Sequence, residues 1–453
     1  MDRVGIAVVG YRAMAKPFHL PAISMLTDLF ELVAVCDRVP ERAEEAGRRY
    51  GVPWYTEARR MYEREKRIQA VADLVTNVWH REVAVQAAEH GKHVIVEKPI
   101  ALTLPWADEM IDACRRAGTL LEVSENYPRM PVDAAVNSLA RSGLLGRIKA
   151  VQVMDAINNG GIDLGVHRYG QLREAAGGNA VRISGIVQEL DALLRPEGMV
   201  RDFAHVSERE FGDRAEEWDV GMAEFDNGVA GKCEFFPLGR EAAVWPADLR
   251  RVVGEKGVCS DDLWPSIYPD KPEGQLSVKL VAGPREYEEL PIRVVKESML
   301  GMPVVTAIEV GRPARFVWEN PVAEAMRRAP LPADQTHVGP GWGGWIVAAV
   351  SAYQSFGRSV RDGLPQAFSH VKGRSDLELT FGMFESALLR RPLELPLRGL
   401  TEHERRIHEE FEKRWGKGKR SLYPASSARA AAATCSTEMP SLRKTASSSP
   451  DSP

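Results

Sequence analysis

Glu97-Lys98-Pro99 and Asp163-Leu164-Gly165-Val166-His167 are the two stretches whose residue types could do chemistry together. The first closes the apolar run His93 to Glu97, so its lysine stands at the end of a buried strand, where an open α/β sheet exposes its ligand crevice. In the second, a carboxylate and an imidazole lie four residues apart and share one face if the segment is helical. An imidazole, with an ordinary pKa of about 6.5, suits proton exchange, and a lysine supplies positive potential to a developing anion. Taken singly, Lys98 reads more readily as a solvated lysine and His167 as a satisfied core histidine.

A third stretch suits a nucleotide. Gly10-Tyr11-Arg12-Ala13-Met14-Ala15 occupies the place of a GxGxxG/A fingerprint between a strand and a helix. Gly10 supplies the tight turn and Ala15 is small enough for helix-on-strand packing, but Arg12 replaces the glycine that lets backbone approach a pyrophosphate. Its guanidinium could reach that group with the side chain instead, beside the amides of a helix N-terminus. A plain strand-to-helix turn fits the segment equally well. Asp37, about 20 positions further on, can accept hydrogen bonds from an adenosine ribose and would repel a 2′-phosphate, which favours NAD. Arg38 beside it leaves NADP open, and Asp37 also fits a helix N-cap ahead of Glu41.

These groups need elements to position them. From Val4 to Ser124 short β-branched runs (Val4 to Val9, Glu31 to Cys36, Val71 to Thr76, His93 to Glu97, Leu120 to Ser124) alternate with helical stretches near 13–26, 40–50, 81–90 and 105–117. That alternation predicts a doubly wound parallel sheet. After a helix near 132–142, strands at 148–154, 181–187, 218–225, 229–236 and 250–254 predict a mixed or antiparallel sheet, with a hairpin at Asp226-Asn227-Gly228. Helices follow at 345–361, 376–389 and 402–415. The mixed charges of Glu402 to Arg420 predict a solvated helix. The Ser/Ala/Pro-rich end predicts a disordered tail.

Composition narrows the function. The 453 residues exceed one ordinary domain, and 44% hydrophobic with 27% charged content predicts globular cores. A net charge of −4 gives no long-range attraction to phosphate backbones, so nucleic acid is excluded as a partner. No apolar run is long enough to span a bilayer, and the start lacks a signal-peptide pattern, so a cytoplasmic location is expected. Five scattered cysteines without CxxC pairing fit a reducing compartment and no zinc cage. His90 and His93 read as a helix-to-strand turn rather than a metal pair, because no carboxylate or cysteine completes a ligand set. No metal is expected.

Gly10, Asp37, Glu97-Lys98-Pro99 and the later Asp-x-Gly-x-His together resemble the glucose-fructose oxidoreductase, inositol dehydrogenase and rhizopine-catabolism (Gfo/Idh/MocA) family of nicotinamide enzymes. Asn159-Gly160-Gly161, the turn at 225–228, Val253 to Gly257 and the ending 373–387 extend the likeness over roughly residues 1–397. The resemblance implies an α/β fold, an N-terminal Rossmann sheet (1–128) with a C-terminal α+β domain on a large mixed or antiparallel sheet (129–400). A helical extension (401–423) and the tail (424–453) would follow. It implies catalytic roles for Lys98 beside the nicotinamide, Asp163 orienting substrate and Lys98, and His167 exchanging the hydroxyl proton. It also implies a cofactor site of Gly10, Tyr11, Arg12, Ala13, Met14, Asp37, Arg38, Asn77, His80, Glu97, Lys98 and Asn126, with Glu125 and Arg129 further candidates at the cofactor-substrate junction. A surface loop position fits Arg129 equally well. At most one of Arg168 and Tyr169 should face substrate. The expected partner is a sugar or polyol substrate, and a homo-oligomer, dimer or tetramer, is expected. The stretch 263–340, with Trp264, Tyr268 and Trp318, and Trp342 beyond it, is expected to shape a substrate pocket or an oligomer contact. Two other functions share these features: a lyase, epimerase or glycosidase that keeps its NAD bound, and a non-catalytic nucleotide-binding regulator.

Overall fold

Val4–Val9 (β1) is buried at every position, as a strand covered on both faces must be. The computed structural model describes residues 2–12, 14–155, 162–187, 219–235, 248–262, 276–328 and 343–415. Around β1 stand Phe30–Cys36 (β2), Trp54–Tyr55 (β3), Ala70–Asp73 (β4), His93–Glu97 (β5) and Leu121–Ser124 (β6). They form a six-stranded sheet in the order β3-β2-β1-β4-β5-β6 with every pairing parallel. The expected doubly wound sheet is therefore present, with one more edge strand than expected.

The crossover helices are Leu20–Met25 (α1), Pro40–Tyr50 (α2), Ala58–Arg64 (α3), His80–Glu89 (α4) and Leu104–Ala117 (α5). The first departs from expectation. Instead of one helix over 13–26, Ala15–His19 forms a π-helical turn and only Leu20–Met25 is α-helical. Pro17 and Pro21 explain it: neither has an N–H to donate, so the ladder loosens to the i→i−5 bond of His19 to Met14.

Pro131–Arg141 (α6) leads into the second half. Its strands are Ile148–Asp155 (β7), Ala180–Val187 (β8), Asp219–Phe225 (β9), Ala230–Phe235 (β10), Asp248–Gly254 (β11), Gly257–Asp262 (β12), Ser277–Gly283 (β13) and Glu286–Leu290 (β14). Together with the short Leu393–Glu394 strand they make a nine-stranded mixed sheet, antiparallel except where β10 runs parallel to β7. Ile162–Ala176 (α7) packs on β7 and β10. Ile292–Met299 (β15), Met302–Val310 (β16) and Phe316–Glu319 (β17) form a separate antiparallel sheet that the sequence reading missed. Trp264, Tyr268 and Trp342 lie outside the described residues, and Trp318 lies in β17.

Four later helices close the chain: Ala323–Arg328 (α8), Gly343–Asp362 (α9), His370–Leu389 (α10) and Glu402–Trp415 (α11), followed by residues outside the description that include the expected tail. Leu393–Glu394 (β18) lies between α10 and α11. Contrary to the solvated helix expected, α11 docks. Its His403, Ile407 and Phe411 recur every four residues and are buried, and Phe411 meets Trp79 and Trp106 edge-on. Glu404 accepts the Leu104 N–H at 2.8 Å and so caps α5 from outside. A buried stripe of one histidine and two apolar residues is easily hidden among that many charges.

Candidate functional site

Gly10 ends β1 with φ of +99°, and a Cβ there would stand 2.6 Å from the Leu74 backbone, so only glycine fits the turn. Tyr11 N–H donates to Asp37 Oδ2 at 2.8 Å and Val39 N–H donates to Oδ1 at 2.9 Å. Asp37 is thus buried at the end of β2 and is not the α2 N-cap, which is Val39. Arg12 and Arg38 are exposed, Met14 precedes the π turn, and Ala13 lies outside the described residues.

The tripeptide turns on a cis Lys98-Pro99 bond. His80 braces it, with Nδ1 2.9 Å from Pro99 O and Nε2 3.3 Å from Val75 O. Burial, against those carbonyls and Glu97, lowers the His80 pKa. The ring expected beside the cofactor is therefore spent on two loop carbonyls. Glu97 turns the other way, its Oε1 2.7 Å from His19 Nε2, while His19 Nδ1 lies 3.0 Å from the Tyr353 hydroxyl on α9. Burial is the largest influence on Glu97 and raises it, but His19, Lys98 and His80 together outweigh it and hold its pKa below the ordinary value.

Glu97 and Ser124 are register partners and end their strands, so Lys98 and Glu125 are the first residues beyond the ends of two neighbouring strands. Glu125 receives the second half of the chain: His167 Nδ1 sits 2.6 Å from its Oε1, which also accepts the Tyr127 N–H at 3.0 Å. An oxygen accepting there places the imidazole proton on Nδ1 and leaves Nε2 as the other functional nitrogen. The Tyr127 ring stacks on His167 at 4.1 Å and 25°, with the Arg168 guanidinium 5.1 Å over Tyr127. Asp163 lies in α7, one turn before His167, as its spacing predicts, and its side chain is outside the description.

Arg168 and Tyr169 both point inward. Arg168 Nε donates to Asp155 at 2.8 Å and the Tyr169 hydroxyl meets the Met383 sulfur at 3.1 Å. Arg129 is no surface residue either: its guanidinium folds back onto Val123 O, Glu125 O and Glu122. The partnership of Glu125 with His167 was not legible in the sequence, because 42 residues separate them.

Two buried amide oxygens, Asn77 Oδ1 beyond β4 and Asn126 Oδ1 beyond β6, have no hydrogen bond among the described residues. They flank the strand end that bears Lys98. Acceptors orphaned at the mouth of a parallel sheet, with the glycine turn at β1, fit the polar groups of a dinucleotide. His90 and His93 are engaged with Gln86 O and the Leu120 N–H. Among the described residues no cluster of three His, Cys, Asp or Glu could hold a metal.

Asp73, at the end of β4, is a further buried acid. Its Oδ2 has no hydrogen bond among the described residues, and burial above all, with Glu97 adding, pushes its carboxyl well above the ordinary value. A raised acid takes up a proton on folding, so its contribution is fully present below about pH 4 and is lost as pH rises through the folded pKa. Asp73→Asn is therefore expected to gain stability relative to the parent between about pH 5 and pH 8, read from urea midpoints. An equal gap at both pH values would contradict this.

Residues 4–125 match the model of the GFO_IDH_MocA oxidoreductase family, described as an NAD-binding Rossmann fold. The chain is 38% identical over 117 residues to D-apiose dehydrogenase of Paraburkholderia graminis, covering 26% of this chain and 31% of that protein. It is 31% identical over 154 residues to levoglucosan dehydrogenase of Pseudarthrobacter phenanthrenivorans, covering 33% and 40%. The matched stretches thus span well under half of these relatives. The solved complex of levoglucosan dehydrogenase with NADH and levoglucosan superposes with a TM-score of 0.60 at 20% identity, over 87% of this chain and 100% of that one, which shows a common fold. No helix among the described residues is long and apolar enough to cross a membrane.

Proposed function

We propose that this chain, whose residues 4–125 match the GFO_IDH_MocA family of NAD-binding oxidoreductases, transfers hydride between NAD and a secondary hydroxyl or carbonyl of a sugar, sugar derivative or cyclitol. The observation that supports this most is His167, seated through Glu125 on the strand end beside Lys98. When bound, the nicotinamide supplies the hydride acceptor or donor. His167 Nε2 takes the hydroxyl proton as the carbonyl forms and returns it in reduction. Lys98 lowers the cost of the developing alkoxide, and Asp163 orients substrate and lysine. Tyr127 covers one face of the imidazole and fixes its plane.

Asn77 and Asn126 would meet the nicotinamide end, and Asp37 the adenosine ribose. Asp37→Ser keeps one acceptor for the Tyr11 amide and removes the charge. It is expected to raise the NADP-to-NAD ratio of kcat/KM on the order of tenfold, about 1.4 kcal/mol of lost repulsion; an unchanged ratio would place the ribose elsewhere. The open face of the nine-stranded sheet exposes Ile186, Met222, Val281 and Tyr287, which fits burial against a second subunit in a dimer or tetramer.

The test is an absorbance screen for NADH formation with NAD or NADP against sugars, glycosides and cyclitols. Turnover supports the reading. Reduction of bound cofactor in a burst, with no net NADH released, would instead mark a lyase or epimerase that oxidises its substrate transiently.

A further inference from the structure

A cavity of about 360 Å3 lies between the Tyr127–Arg129 turn, β17 and α9, and His167 is not among the residues that line it. The volume is that of a small-molecule site. Ser351, Gln354 and Arg358 line it from α9, three and four residues apart and so on one helix face. Neither Ser351, Gln354 nor Arg358 makes a side-chain hydrogen bond to the described residues. Trp318, 7% exposed, and Pro128 also line it.

Arg129 lines the same cavity and is only 9% exposed. Its NH1 donates to Val123 O and Glu125 O at 3.2 Å each, and its NH2 donates to Glu122 at 2.6 Å. A guanidinium has about five N–H donors, and the bonds above engage NH1 and NH2 only, so the Nε–H makes no hydrogen bond to the described residues. A second cation, Arg358, stands at the exposed rim, one helical turn before Asp362. Two guanidinium groups select an anion, since both present donors matched to carboxylate or phosphate oxygens. The neutral serine and amide suit hydroxyls, and the indole suits the apolar face of a ring.

We propose that this cavity binds a monosaccharide-sized ligand bearing one carboxylate or phosphate. Its anionic group lies at Arg129 and Arg358, its hydroxyls face Ser351 and Gln354, and its ring lies against Trp318. The site is separate from the hydride-transfer site and does not depend on that reading. The two are physically joined, because Arg129 also holds the carbonyl of Glu125, the residue that seats His167.

The experiment is calorimetric titration of the full chain, without NAD, with D-glucuronate, D-glucose 6-phosphate, D-glucose and inorganic phosphate. At least one of the two anionic sugars is expected to bind, with glucose and phosphate weaker by about tenfold or more. Which of the two binds tells carboxylate from phosphate. Arg358→Gln, at an exposed position, and Gln354→Ala are both expected to weaken binding about tenfold, while His167→Asn leaves it unchanged. Failure of both anionic sugars to bind would overturn the proposal. So would binding lost in His167→Asn but kept in Arg358→Gln, which would move the ligand to the hydride-transfer site.

Discussion

His167→Asn is expected to lower kcat for sugar oxidation by about 10²–10⁴-fold, the usual weight of one positioned acid–base group, with NAD affinity unchanged. The affinity should hold because the imidazole is stacked on Tyr127 and bonded to Glu125, beyond β6 rather than at the glycine turn. Asparagine is close in size, so the stack has something to rest on. Glu125→Gln should give a smaller loss, since an amide oxygen can still accept from Nδ1 but no longer stabilises an imidazolium. Lys98→Met should lower kcat with KM little changed, since the role proposed for its charge is to stabilise the developing alkoxide. Steady-state rates with the best substrate, and NAD titration by fluorescence, check all three. Full activity in His167→Asn would end the proton-transfer role assigned to it.

Arg250→Met is expected to remove about 3–5 kcal/mol of stability, the cost of breaking a buried ion pair on one side only. Arg250 is fully buried in β11, where it donates to Asp133 at 2.8 Å and also pairs with Asp261. Gln171 of α7 donates to the same Asp133 oxygen at 2.6 Å, and Arg168 donates to Gln171 at 3.0 Å and to Asp155. The network therefore ties the helix of His167 to the nine-stranded sheet. Burial raises the Asp133 carboxyl to about 6, with Arg250 opposing, and burial likewise raises Asp261. Without the arginine both acids rise further, so protonation at low pH relieves the unpaired charge. The deficit should be largest near pH 8 and should shrink towards pH 5, in urea unfolding followed by circular dichroism. A loss below about 1 kcal/mol at pH 8 would show that the acids are screened in some other way.

Local pattern determined much of this protein. Continuous apolar runs marked the parallel strands because a strand buried on both faces cannot alternate, and β1, β5 and β6 lie within a residue of where those runs predict. Gly10 and the Asp37 carboxylate were legible because a left-handed turn and an acid at a strand end are set by near neighbours. The four-residue spacing of Asp163 and His167 likewise translated directly into one helix. Where local chemistry was misread, a local cause explains it: two prolines broke the first helix into a π turn and a short α-helix, and the charges of α11 masked its three inward residues.

Tertiary structure alone decided the partners. Glu97 pairs with His19, Glu125 with His167, Arg250 with Asp133, and Glu404 caps a helix 300 residues away. Carboxyl and imidazole groups reach only a few ångströms, so which of the 63 acids meets which of the 10 histidines depends on how sheets and helices stack, and no periodicity records that. The direction of Arg129, read as loop surface or substrate contact and found folded back on its own strand, has the same origin. Element type is settled by residues a few positions apart, whereas a site is assembled from chain segments that only the packed core brings together.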